Sequence, residues 1–430
     1  FGSSVIKMTP FHGLPARFRP SCRIPLCRGA ACLLCLCGSL QSAVVSGFGV
    51  VNLEPCLQQE VGDNAASCES SLAALDAALR LSGSAVVLGW RVAAEGGAVV
   101  ADASERSLRA ASRSLLEAAA SGGAGGGGGA GLLEELTRLT DGPAPWVLER
   151  QAQGGCLALV AIGAALEGSA CHANDTAHIL EIEGLADAAA AGATAGSAGC
   201  EDSGSGQGET PVWPSWFREA LATLRVAALA DYEALIPIRE TLVALTEAAL
   251  KMPAGELRRL VQVRDAAGYR VHHFPAVREP TEDVSGNEGS VHSDGRYYHP
   301  HMDAGTLRIV RLDPESPGGL QVEVPRGSDV WLDVPFLPGS AVLLAGDTLE
   351  RVTNGRWRAA RHRVQGGVVR GLARTTLRTS VFHFRPDVPL ECLRGCCEHR
   401  SFKFPVITSR QLMEHFRDNG VMLEPRGILF

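Results

Sequence analysis

The chain has 430 residues and a formal net charge of −7, with acidic and basic residues interspersed. That length allows two or three average domains, or one long β domain with a sizeable core. The mixed charge offers no basic face for nucleic acid, so a small molecule is the expected partner. Thirteen cysteines lack zinc-site spacing, apart from Cys32-x-x-Cys35 and Cys37 in an apolar run with no histidine nearby, and they read as reduced thiols.

Residues 1 to 53 hold no Asp or Glu, but Arg17, Arg19, Arg23 and Arg28 precede the run GAACLLCLCGSL. This composition suits a secretory or organellar leader as well as translated non-coding sequence around Met8, and localisation is left between cytoplasmic and organellar. The apolar run is short for a membrane span, and none is expected. Leu72, Leu75 and Leu79 share a helical face, Ser82 to Trp90 reads as a buried strand, and Leu108 and Leu115 mark another helix. Gly-rich tracts at 121–131 and 184–208 cannot bury enough apolar surface to repay their ordering, and read as inserts. A helix starts at Ser215, Pro237 is expected to break it, and a second runs over Ile238 to Leu250. From Tyr269 short strands follow: YRVHHF, GTLRIVRL, GLQVEV, DVWLDV, SAVLLAG, RWRAARHRV and LRTSVFHF, separated by turns such as Asn354-Gly355. Strands at this spacing predict a sandwich or jelly roll. A closing helix over about Thr408 to Arg417 carries a capping box, Thr408-x-x-Gln411.

The boundaries that result are a leader or disordered segment at 1–48, a helical and mixed region at 49–268 with the two inserts, a β domain at 269–386 and a C-terminal tail and helix at 387–430. The oligomeric state is not encoded in any of these patterns.

Residues 292–307, HSDGRYYHPHMDAGTL, hold His-x-Asp twice. Two ligands two apart can grip one metal from the same face, with a third from a distant histidine on a facing strand, for which His362 is the candidate. Two histidines and one carboxylate leave three adjacent positions open, which suits non-haem Fe(II) and O₂. His-x-Asp is expected by chance in roughly every other chain of this size, so context decides. Asp303 leads into an apolar strand, whereas His292 and Asp294 sit in a polar, Gly-containing stretch that reads as an exposed turn.

The order HMDAGTL, then PGGLQV at 317–322, then PGSAVLLAGDTLERVTNGRWRAARHRV at 338–364, then Arg378-Thr379-Ser380, resembles the isopenicillin N synthase-like branch of the Fe(II)/2-oxoglutarate-dependent dioxygenases. The resemblance covers about residues 269–386. It implies a mainly β fold with flanking helices, built on a double-stranded β-helix (jelly roll) core. It also implies Fe(II) on His301, Asp303 and His362, O₂ and 2-oxoglutarate as co-substrates, and ascorbate as an optional reductant. The far carboxylate of 2-oxoglutarate falls to Arg378, with Ser380 beside it, where a guanidinium offers two parallel hydrogen bonds. Arg374-Thr375-Thr376 is a competing pair, ranked second because it is expected to precede the strand.

Where the family shows Asn-Tyr-Tyr-Pro, this chain has His272-His273-Phe274-Pro275, so a tyrosine hydroxyl is lost, and Tyr297 and Tyr298 are candidates to replace it. Only one of His272 and His273 can face inward, and a satisfied core histidine is the expected role; His299 and His383 read the same way, and Trp357 reads as core. The activity implied is hydroxylation or desaturation of a small metabolite with release of succinate and CO₂. Two alternatives stay open: an oxidase of the isopenicillin N synthase or aminocyclopropanecarboxylate oxidase type that does not use 2-oxoglutarate, and a non-catalytic jelly-roll binding protein. A prolyl-hydroxylase-like assignment, suggested by Tyr298-x-x-His301-x-Asp303, is opposed by arginine at 378.

Overall fold

In the computed structural model the residues described are 42–45, 48–57, 64–91, 97–121, 146–150, 157–161, 177–182, 185, 215–264, 269–274, 296–315, 318–365, 373–397 and 401–419, all inside a unit that spans Gln41–Phe430. The leader-like residues up to 41, nearly all of both Gly-rich tracts, and His292 with Asp294 lie outside them. No described helix is long and apolar enough to cross a membrane.

The chain opens with β1 (Ser42–Val45), β2 (Phe48–Asn52), α1 (Glu54–Leu57), α2 (Asn64–Ser82), β3 (Ser84–Leu88) and α3 (Gly97–Ser121). Strands β4 (Trp146–Arg150), β5 (Leu157–Ala161) and β6 (His178–Ile182) precede α4 (Ser215–Leu250), α5 (Glu256–Leu260) and β7 (Val261–Gln262). The strand-rich part holds β8 (Tyr269–Phe274), β9 (Arg296–His301), β10 (Leu307–Arg311), β11 (Leu320–Glu323), β12 (Trp331–Asp333), β13 (Ala341–Ala345), α6 (Asp347–Val352), β14 (His362–Gln365), β15 (Arg374–Ser380) and β16 (His383–Phe384), and α7 (Ser409–Asn419) closes it.

A ten-stranded sheet runs β1-β2-β3-β13-β10-β15-β8-β6-β5-β4, and a four-stranded sheet runs β12-β11-β14-β9. Period-two alternation divides the side chains of the larger sheet between two cores. Leu307, Ile309, Leu343 and Leu377 enter the core shared with α2, α3 and α4. Val310, Leu312, Val342 and Leu344 enter the core shared with Tyr298, Val322 and Val364 of the smaller sheet. Covered on both faces, β10 and β13 must be buried at every position, as they are. This is the jelly roll expected from the sequence, with one sheet extended at both ends by strands the sequence reading did not identify.

Four expectations need correction. Pro237 lies inside one continuous helix, α4, because Leu235, Ile238 and Leu242 on either side are buried in the same core and hold the axis across the missing N–H. The segment RWRAARHRV is strand only from His362; Trp357 is fully buried with its indole N–H donating to Asp76 (2.7 Å). Arg374 begins β15 instead of preceding it. The cysteines are not all reduced, since Cys56 pairs with Cys68 and Cys392 with Cys397. The capping box is present: Gln411 N donates to Thr408 Oγ1 (3.2 Å), and Thr408 N donates to Gln411 Oε1 (2.9 Å).

The helical layer is tied to the larger sheet by a buried ion cluster. Asp231 of α4 accepts two bonds from Arg311 of β10 (2.8 and 2.7 Å), one from the Tyr269 hydroxyl (2.6 Å) and one from Ser104 of α3 (3.1 Å). Burial raises the Asp231 pKa, but Arg311 and the hydrogen bonds outweigh it and hold the pKa below the ordinary carboxylate value. A carboxylate lowered in this way stabilises the fold above its unfolded pKa, and that stability is lost as pH falls through the folded value. Asp231→Asn removes the carboxylate that makes the shorter ion pair with the buried Arg311 and leaves Glu105 at 3.5 Å, so urea denaturation should read a loss of about 3 kcal/mol.

Candidate active site

The two histidines come together because their strands are neighbours in the smaller sheet. His301 ends β9, His362 begins β14, and the two residues are directly paired across the ladder, with ring centroids 4.2 Å apart. His362 therefore comes from the adjacent strand, not from a facing one. Asp303 lies two residues beyond β9, in the bend that leads to β10. That bend is pinned on the start of α6: Asp347 N donates to Asp303 O (2.8 Å) and Thr348 Oγ1 to Ala304 O (2.6 Å). Gly346 permits the approach, since a Cβ there would collide with Gly305 O and stand 2.8 Å from Asp303 O.

Each histidine commits one nitrogen to a backbone carbonyl. His301 Nδ1 donates to His299 O and His362 Nδ1 to Ala360 O, both at 3.0 Å. A carbonyl only accepts, so each Nδ1 carries the proton and each Nε2 presents a lone pair. His301 Nε2 is buried with no hydrogen-bond partner. One donor atom from each of His301, Asp303 and His362 lies within 4.8 Å of the others. Neutral imidazoles oriented through Nδ1, with a carboxylate beside them, fit a divalent metal.

Charge is tightly balanced at this point. Asp303 is 3% exposed; burial raises its pKa, but Arg308 and Arg378, then the two histidines, outweigh burial and set it well below 3.8. The His301 pKa is pushed well below 6.5 by burial first and then by His362. Burial, opposed by Asp303, takes His362 down to about 4.

Arg378 faces this cluster from β15. Its Nη2 donates to both Asp303 oxygens (2.6 and 2.5 Å) and lies 3.1 Å from His362 Nε2. Ser380, the next inward position on β15, is buried and stands opposite Arg308 in the ladder. Beyond Arg378 a cavity runs between the sheets, lined by Tyr298, His272, Thr376, Arg374 and apolar side chains such as Val310 and Leu320. Arg374 and Thr376, the pair ranked second, thus sit on the inner face. Arg374 donates from Nη1 to Gly318 O (2.6 Å) and stacks over Phe274, so it also holds the turn before β11.

Tyr298 is buried, with its ring 4.9 Å from that of His301 and 4.7 Å from that of His272. Tyr297 belongs to β9, and its side chain is outside the described residues. His273 is satisfied as expected: its Nδ1 is 3.1 Å from Thr375 Oγ1 and its Nε2 3.6 Å from Glu117. His272 is not; it faces the cavity with Nε2 buried and without a partner. The alternation of HisHis was legible in the sequence, but the missing partner was not.

Residues 269–385 match the family model of the 2OG-Fe(II) oxygenase superfamily. The domain belongs to that superfamily. Membership implies Fe(II) as cofactor, with 2-oxoglutarate and O₂ as co-substrates. Among curated relatives, gibberellin 2-beta-dioxygenase 3 of Arabidopsis thaliana is 28% identical over 186 residues, 41% of this chain and 49% of the relative. The 2-oxoglutarate-dependent dioxygenase 19 of Oryza sativa subsp. japonica is 30% identical over 188 residues, 43% of this chain and 50% of the relative. The chain thus spans about half of the length of these relatives. The crystal structure of the dioxygenase for auxin oxidation in rice shares the fold at a TM-score of 0.51 and 16% identity, over 87% of this chain and 96% of that one.

An imidazole with a lowered pKa needs no deprotonation to bind metal at neutral pH, and the proton competes only as pH falls toward the lowered value. The dissociation constant for Mn(II), measured by calorimetry, should therefore stay nearly flat from about pH 7.5 to about pH 5.5. Two ordinary histidines would instead weaken it progressively below about pH 6.5.

Proposed function

We propose that the protein is a non-haem Fe(II)- and 2-oxoglutarate-dependent oxygenase that hydroxylates or desaturates a small organic metabolite. The observation that carries this reading is the arrangement of His301 and His362, each anchored through Nδ1 with Nε2 turned toward Asp303. These three residues would hold Fe(II). When bound, Fe(II) supplies the coupling of O₂ reduction and 2-oxoglutarate decarboxylation, to succinate and CO₂, to oxidation of a substrate C–H bond.

The protein's own part is charge placement and exclusion of water. Arg378 and a divalent cation compete for the same carboxylate oxygens on Asp303. A guanidinium released from Asp303 is suited to the far carboxylate of 2-oxoglutarate, with the Ser380 hydroxyl next to it on the same face of β15. The apolar walls given by Val310, Leu320, Leu344 and Val364 keep the chamber dry, which strengthens both interactions. Relatives such as gibberellin 2-beta-dioxygenase 3 and deacetoxyvindoline 4-hydroxylase, whose names denote small organic substrates, support the substrate class.

The test is succinate formation from 2-oxoglutarate with Fe(II) and O₂. Asp303→Ala should lower it by about a hundred-fold or more, the loss from removing a ligand exceeding that from removing a ligand's support. Asp294→Ala should leave it within about two-fold, as for a substitution away from the metal ligands. Loss of activity in the second variant with retention in the first would reverse the assignment of the pair. Iron-dependent O₂ uptake without succinate would favour the oxidase that uses no 2-oxoglutarate.

A further inference from the structure

We propose that Met302 is a modification site, at which hydrogen peroxide converts the thioether to a sulfoxide and thereby weakens the metal centre beside it. The inference goes beyond the oxygenase reading and rests on it for the three metal ligands alone.

Met302 stands in the chain between two of those ligands, His301 and Asp303, in the bend that leads to β10. It is 40% exposed, whereas Asp303 is 3% exposed, so the bend turns its carboxylate to the interior and its thioether to solvent. Met252, by contrast, is 7% exposed and packs in the helical core.

The sulfur touches a guanidinium. Arg326 Nη1 lies 3.7 Å from Met302 Sδ, in an exposed contact, and the same Nη1 makes an ion pair with Glu350 Oε2 of α6. That carboxylate oxygen also accepts from Ala359 N (2.7 Å). The next residue, Ala360, supplies the carbonyl that orients His362 through Nδ1 (3.0 Å), and the first turn of α6 holds the bend that carries Asp303. Arg326 is thus one ion pair away from the supports of two metal ligands.

A thioether is a weak hydrogen-bond acceptor, and oxidation makes it polar. The S–O bond forms as the peroxide O–O bond breaks; the sulfur gives up an electron pair, and the other oxygen leaves with both hydrogens as water. Beside Arg326 the new oxygen competes with Glu350 for Nη1. Glu350 then loses part of its counter-charge, and the supports of His362 and Asp303 slacken. Enzymatic reduction of the sulfoxide restores the thioether, so the change is reversible.

The test treats the metal-free full chain with hydrogen peroxide, removes the peroxide with catalase, and divides the sample between peptide mass spectrometry and calorimetric titration with Mn(II). Met302 should gain oxygen several-fold faster than Met252. Mn(II) affinity should fall by about ten-fold, as for a ligand that loses its support. Methionine sulfoxide reductase should restore it, which damage to histidine or cysteine would not allow. Met302→Leu has no sulfur to oxidise and should bind Mn(II) like the untreated parent before and after peroxide. Met302→Gln, with a polar oxygen on a side chain of similar length, should bind more weakly without any peroxide. Oxidation of Met302 no faster than that of Met252 would overturn the proposal, and so would parent-like Mn(II) binding by the oxidised chain or an equal peroxide loss in Met302→Leu. If that variant does not fold, repair by the reductase decides in its place. An untreated parent that binds no Mn(II) removes the metal centre of the oxygenase reading and this proposal with it; if the untreated and oxidised chains bind equally, only the role of Met302 falls.

Discussion

A carboxylate in a closed interior stays ionised only if cations stand against it, and the centre of this protein is organised around that constraint at Asp303. Arg308 and Arg378 approach from adjacent strands of the larger sheet, and the two imidazoles approach from adjacent strands of the smaller one. The bend that carries Asp303 is in turn fixed by backbone bonds to the first turn of α6. The carboxylate thus has its partners delivered by both sheets of the jelly roll, and the sheets must keep their mutual position for the balance to hold.

The larger sheet is held in turn from outside the barrel. Asp231 brings together Arg311, Tyr269 and Ser104, which belong to β10, β8 and α3. Arg113 of α3 reaches Asp313 and Thr375, and Arg239 of α4 donates to Thr379 (2.7 Å). The outward residues of β15 are thus bound by the helices, while its inward residues, Arg374, Thr376 and Arg378, line the cavity.

Much of this was open to sequence reasoning, and the gaps have physical causes. The strands from Tyr269 onward are legible because a β core repeats a two-residue pattern between strong turn signals. Asp303 stood out from Asp294 because an apolar strand follows it. Pro237 misled because local propensity gives no weight to the tertiary burial on both sides of it. Arg374 was placed outside the strand because the strand was read as starting at Leu377, and nothing local indicates a carbonyl such as that of Gly318 waiting in the interior. The strands β4, β5 and β6 escaped notice between low-complexity tracts, where their partners are distant in sequence. The disulfides depend on which cysteines meet in space, which spacing alone does not encode.

The two-sided use of β15 has a further consequence. Because neighbouring residues point to opposite faces, a shift of this strand by a single position would exchange its whole set of contacts. Thr375, Leu377 and Thr379 would turn into the cavity, and three side chains that give it polar character would turn to the helices. Length changes upstream of Arg374 must therefore be absorbed before the strand begins. The segment between Gln365 and Arg374 can vary in length across evolution only if the phase of the strand is preserved.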